Sequence, residues 1–96
     1  MIKHVVMWKF KSDVVESDRL EMKRQLEALK GEVPTLADIS VGLDISRKDR
    51  SWDIVLYSEF ESMEDLKAYA AHPQHLKVVE FVKTVVSEGA AVDYEV

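Results

Sequence analysis

Two segments of this chain have the alternation of β-strands yet are apolar on both faces. From Ile2 onward, His4, Val6, Trp8 and Phe10 point one way, while Val5 and Met7 lie between Lys3 and Lys9 on the other. In the middle of the chain, Trp52, Ile54 and Leu56 share one face, and Val55 and Tyr57 are opposite. A sheet with helices on one side hides only one of its faces. The second would be an exposed patch of several hundred Å² or more, which soluble monomers seldom tolerate. Scattered surface hydrophobes are common singly but do not explain two such strands. The expectation is a homodimer, closed through the sheet face bearing Val5, Met7, Trp52, Ile54 and Leu56.

The remaining segments supply the helices and the other strands. Ser17 has the character of an N-cap, and Met22, Leu26, Leu29 and Val33 follow at helical spacing, with Gly31 where a C-terminal cap belongs. This predicts a first helix over about residues 17 to 30. Ile39, Val41, Leu43 and Ile45 alternate with polar or small residues as a one-sided strand. The polar run at 46–51 forms a hairpin loop to the next strand, 52–60. Ser62, with Asp65 three residues on, opens a second helix that carries Leu66, Tyr69 and Ala70 inward. Pro73 ends it at His72 and starts a third helix with the inward stripe His75, Val79, Val82 and Val86. Gly89 breaks that pattern before a last strand through Val92, Tyr94 and Val96. The order β-α-β-β-α-β, its second helical part split by His-Pro, is the α+β, ferredoxin-like plan: a four-stranded antiparallel sheet in one domain, residues 1–96.

Composition narrows the function classes. With 13 Lys and Arg against 18 Asp and Glu, the net charge of −5 disfavours nucleic acid, which needs clustered cations. No apolar run reaches the ~18 residues of a membrane span, so no membrane partner and a cytoplasmic location are expected. Zero cysteines remove disulfides, thiolate metal sites and thiol nucleophiles. Three glycines hold no phosphate loop and no dinucleotide fingerprint, and no cofactor is expected.

Chemistry must then come from three histidines and a few polar groups on inward faces. His75 falls in the first turn of a helix, where the dipole and partial burial keep imidazole neutral, as a general base requires. Tyr69 faces the same interior and would donate to a carbonyl oxygen. His4 shares its face with Val6 and Trp8, and Asp53 shares one with Val55 and Tyr57. If that second face is also the covered one, all converge on one cleft. As metal ligands, His72, His75, His4 and Asp53 match no strong spacing, and no metal is expected. The plainer reading is that His75 caps a helix or bonds a tyrosine, His4 is a satisfied core residue and His72 terminates a helix. A pocket protein would show a cavity of ~300 Å³ or more beside His75.

The opening Ile2-Lys3-His4-Val5-Val6 to Trp8-Lys9-Phe10-Lys11, the segment Tyr69-Ala70-Ala71-His72-Pro73-Gln74-His75 and the ending Val92-Asp93-Tyr94 resemble the stress-responsive A/B barrel (Dabb) family. The resemblance spans essentially the whole chain. It implies a ferredoxin-like protomer in a dimeric α+β barrel, with a pocket between sheet and helices. Most of the family has no assigned activity, and some members are stress-induced proteins that build larger assemblies. One member is a cofactor-free polyketide cyclase that uses the second histidine of H-P-x-H as base and the motif tyrosine to position substrate. Those catalytic roles fall here on His75 and Tyr69, with a ligand pocket of His4, Val6, Trp8, Asp53, Val55, Leu26 and Val79. Asp53 stands where that cyclase has another pocket histidine. The implied functions are a cofactor-independent enzyme on a carbonyl or aromatic metabolite, or a non-catalytic stress-responsive assembly protein.

Overall fold

A computed structural model describes all residues, Met1–Val96. The elements run β1 (Ile2–Phe10), α1 (Glu16–Ala28), a single 3-10 turn (Leu29–Gly31), β2 (Asp38–Leu43), β3 (Ile54–Phe60), α2 (Met63–Ala71), α3 (Pro73–Val85) and β4 (Val86–Glu95). The four strands form one antiparallel sheet in the order β2-β3-β1-β4. This is the ferredoxin-like plan, and the long, doubly apolar β1 takes a central place in it.

Local chemistry explains most of the element boundaries. The Ser62 hydroxyl accepts the Asp65 N–H at 3.2 Å, capping α2. His72 ends α2 in extended conformation and starts α3, its Nδ1 accepting the Gln74 N–H at 3.1 Å. Pro73 follows as the first residue of α3, where its missing N–H costs nothing. Helix α1 differs from expectation at both ends. It begins at Glu16 after an uncapped Val15, so Ser17 sits inside the first turn, and the 3-10 turn replaces a glycine cap. Gly31 has no positive φ.

Pairing register decides which side chains share a face, because residues directly opposite in a ladder project the same way. Val6 lies opposite Leu56, Trp8 opposite Ile54 and His4 opposite Ser58. Ile54, Leu56 and Phe60 are therefore in the core with Met22, Leu26, Leu29 and Tyr69. Val5 lies opposite Tyr57 and Met7 opposite Val55, which puts Val55 and Tyr57 on the outer face. The expected faces of β3 are thus exchanged: Ile54 and Leu56 leave the expected dimer face, and Val55 leaves the covered side. Both faces of β3 are apolar, so alternation carried no sign, and only the partner strand supplied it.

Two further boundaries moved. Ile45, expected on β2, is 93% exposed in the loop beyond it. Val86, expected on the helical stripe, is the first residue of β4, and the buried face of α3 is Val78, Val82 and Val85. Gly89 does not break the chain; it lies in β4 opposite Trp8. A Cβ there would come within 3.1 Å of Trp8 Cδ1, so the bare backbone lets the indole pack against the strand.

Candidate functional site

The inner face of β1 puts His4, Val6 and Trp8 in a row beneath the helices. α1 contributes Leu26, and α3 contributes Val78, Val79 and Val82. These residues, with Tyr69 and His75, line a largely apolar hollow of about 210 Å³. A second, more open hollow of about 320 Å³ lies alongside, between Met63, Leu66, Lys67 and Asp93. His4, Tyr69 and His75 border both, so the polar trio stands where the two spaces meet.

The trio is held by named contacts. His75 lies in the first turn of α3, and its Nδ1 donates to the Ala70 carbonyl at 3.0 Å. A carbonyl only accepts, so Nδ1 carries the proton and Nε2 of the neutral ring keeps its lone pair. Burial holds this ring below the ordinary histidine range. The Ala70 carbonyl opposes that shift, and the neighbouring His4 and His72 reinforce it. The Tyr69 ring packs between Phe60, at 5.1 Å, and His75, at 4.4 Å between centroids. Its hydroxyl is buried without any hydrogen-bond partner, and burial pushes the phenol up to about 12. His4 Nδ1 pairs with the Asp93 carboxylate, which again leaves Nε2 as the free ring nitrogen.

His4, Val6, Trp8, Leu26, Tyr69, His75 and Val79 thus come together as the sequence places them. Two expected pocket residues do not. Val55 is on the opposite face of the sheet. Asp53 lies at the far end of β1, where its carboxylate accepts the Phe10 N–H at 2.8 Å and its own N–H donates to the Trp8 carbonyl. The β1–β3 ladder ends at the Trp8–Ile54 pair, and Asp53 satisfies the Phe10 donor just beyond it. Of the four residues weighed as metal ligands, His4 and His75 share the site, whereas His72 is occupied as a cap and Asp53 as a clip at the far end of β1. Asp93, Met63 and Lys67 were not foreseen. Asp93 reaches His4 because β4 pairs with β1 in the register His4 to Asp93, which no local pattern encodes.

The stress-responsive A/B barrel domain model matches residues 2–96. The chain belongs to that family. It is 35% identical over 98% of its length to a stress-response A/B barrel domain-containing protein of Arabidopsis thaliana, and spans 36% of that protein. It is 27% identical to olivetolic acid cyclase of Cannabis sativa, over 78% of this chain and 76% of the cyclase. A dimeric ferredoxin-like protein from Bacteroides fragilis superposes with a TM-score of 0.84 at 32% identity, covering 99% of this chain and 95% of its own. The fold is also that of hydroxynitrile lyase from Passiflora edulis, with a TM-score of 0.87 at 18% identity, over 97% and 90% of the two chains.

Proposed function

We propose that this A/B barrel protein binds a small carbonyl-bearing molecule where the two hollows meet and moves a proton on it without a cofactor. The observation that carries this is the pairing of two unsatisfied groups. The Tyr69 hydroxyl is buried with no partner, and His75, whose hydrogen bond uses Nδ1 and leaves Nε2 unengaged, borders the same hollows. An unpaired buried hydroxyl costs about 1–3 kcal/mol, a cost that a ligand oxygen would relieve. Tyr69 then donates to the carbonyl oxygen while His75 Nε2 takes a proton from the adjacent carbon, leaving an enolate whose charge the phenol stabilises. His4, fixed by Asp93, orients the bound molecule. The apolar hollow takes the ligand's hydrocarbon or aromatic part. Two relatives are named as a cyclase and a lyase, which supports an enzyme over a purely structural protein.

The chain functions in this reading as a homodimer closed over the outer sheet face. Val5, Met7, Val55 and Tyr57 lie at its centre, and the Bacteroides relative is dimeric. The ligand sites face away from that interface, one in each protomer.

Deuterium exchange at the carbon next to the carbonyl of benzylacetone, followed by NMR, tests the chemistry. The protein should accelerate exchange, and His75→Ala should lose about 10²-fold or more of that acceleration with the fold intact. Tyr69→Phe should also slow exchange while leaving stability unchanged or raised, because the hydroxyl it removes has no partner. No acceleration by the unmodified protein, or unfolding of His75→Ala with exchange unaffected by Tyr69→Phe, would favour a rigidifying His-Tyr cluster in a non-catalytic assembly protein.

A further inference from the structure

Helix α2 turns Met63, Leu66, Lys67 and Ala70 to the more open hollow, at the three- and four-residue spacings that share one side of a helix. Lys67 is the one Lys or Arg on that lining. Its ammonium makes no ion pair, although Glu64 stands three residues before it. At the same spacing on α1, Arg24 is bound by Glu21. The carboxylate on the lining, Asp93, is taken up by His4, and burial disfavours a charge on His75. One cation is thus left without a counterion, on the same lining as the buried Tyr69 hydroxyl that has no partner.

We propose that Lys67 binds a carboxylate, so that the ligand of this site is a keto acid with an apolar tail. This rests on the carbonyl site proposed above and specifies its substrate class. Each part of such a molecule has matching surroundings. The tail enters the smaller hollow among Val6, Trp8, Leu26 and Val79. The carbonyl oxygen accepts from Tyr69 where the hollows meet. The carboxylate stays in the open hollow, where it keeps part of its water and gains a charge-assisted hydrogen bond from Lys67. An anion in the apolar hollow would lose that water with little return. The apolar hollow does have its own cation, Lys83, but this lies in the last turn of α3, where the negative helix end already favours an ammonium. Lys67 sits in the middle of α2 and has no such compensation. A single ammonium that shares its hollow with Asp93 also suits a monoanion better than a phosphate dianion.

The γ- and δ-keto acids that carry a phenethyl group on the carbonyl, each compared with its own methyl ester, test this. Deuterium exchange beside the ketone, followed by NMR, gives a KM for each compound. At low ionic strength at least one acid should have a KM roughly 3- to 5-fold below that of its ester, the strength of a partly exposed ion pair. About 0.5 M salt should narrow the difference. Lys67→Met keeps the apolar stem, lies at an exposed position and should erase the preference, whereas Lys67→Arg should retain it. Equal KM values of acid and ester in both pairs overturn the inference and leave the chemistry of His75 and Tyr69 standing. A preference that survives Lys67→Met does the same, and its loss in Lys83→Met would put the carboxylate at the other end. If the protein accelerates exchange of none of these ketones, the proton-transfer reading fails, and binding of the same acids, followed by NMR shifts, decides the subsite. Acid binding that weakens in Lys67→Met and not in Lys67→Arg retains it. Absent binding, or binding indifferent to Lys67, overturns it.

Discussion

His75 joins its environment to its proposed chemistry through one hydrogen bond. The Ala70 carbonyl fixes which nitrogen holds the proton, and burial makes the charged ring unfavourable. Because the folded ring is held below the ordinary value of 6.5, the unfolded chain takes up its proton first as pH falls. The stability associated with a neutral His75 is therefore present above pH 6.5 and is lost as pH drops through the lowered folded value. His75→Gln should flatten that part of the stability curve, measured as urea midpoint against pH between about 7 and 5. An unchanged slope would mean that the ring titrates freely in solvent. At the same scale, Asp53 shows the limit of reading residues by alternation. Its parity put it in line with Val55 and Tyr57, but its carboxylate is held by the Phe10 N–H just past the end of the β1–β3 ladder.

The elements owe their limits to a handful of side chains that were legible in advance. Ser62 and the His72-Pro73 step define α2 and α3, and they do so because their effects are local: a hydroxyl within reach of an N–H three residues on, and a ring that cannot continue a helix. Ser62→Ala should cost about 1 kcal/mol of stability in chemical denaturation, and Ser62→Asp should restore most of it. Equal stability of all three would show that α2 is held by its packing alone, through Leu66 and Tyr69. The loss should not reach the site, since α2 remains pinned beside Phe60 by the Tyr69 ring. Ser17 had the same residue type and lacked the position, one residue inside α1. A cap depends on where the helix begins, and packing of Met22 and Leu26 governs that as much as the cap does.

At the scale of the whole molecule, one sheet divides two tasks. Its inner face supports the hollows, and its outer face is the one proposed above to close the dimer. On that outer face, the Lys3 ammonium meets the Glu59 carboxylate at 2.6 Å, and the Tyr57 hydroxyl donates to the same carboxylate at 2.7 Å. This network raises the Lys3 value and lowers that of Glu59 through the hydrogen bonds each makes. Val5 is the apolar neighbour of this network on β1. Val5→Glu should convert a dimer to a species of 11.0 kDa by sedimentation, with helical content unchanged by circular dichroism. A dimer that persists with the added charge would place the interface elsewhere.

The amino-acid sequence by itself determined the order and kind of the strands and α-helices and the candidates His4, Tyr69 and His75. Each follows from periodicity, capping or a motif contained within a short stretch of chain. Tertiary structure alone decided which face of β3 is covered, that Asp93 pairs with His4, and that Asp53 closes a strand end. Those outcomes depend on register between strands distant in sequence. In a strand apolar on both sides, burial becomes one-sided only when a neighbour is hydrogen-bonded beside it.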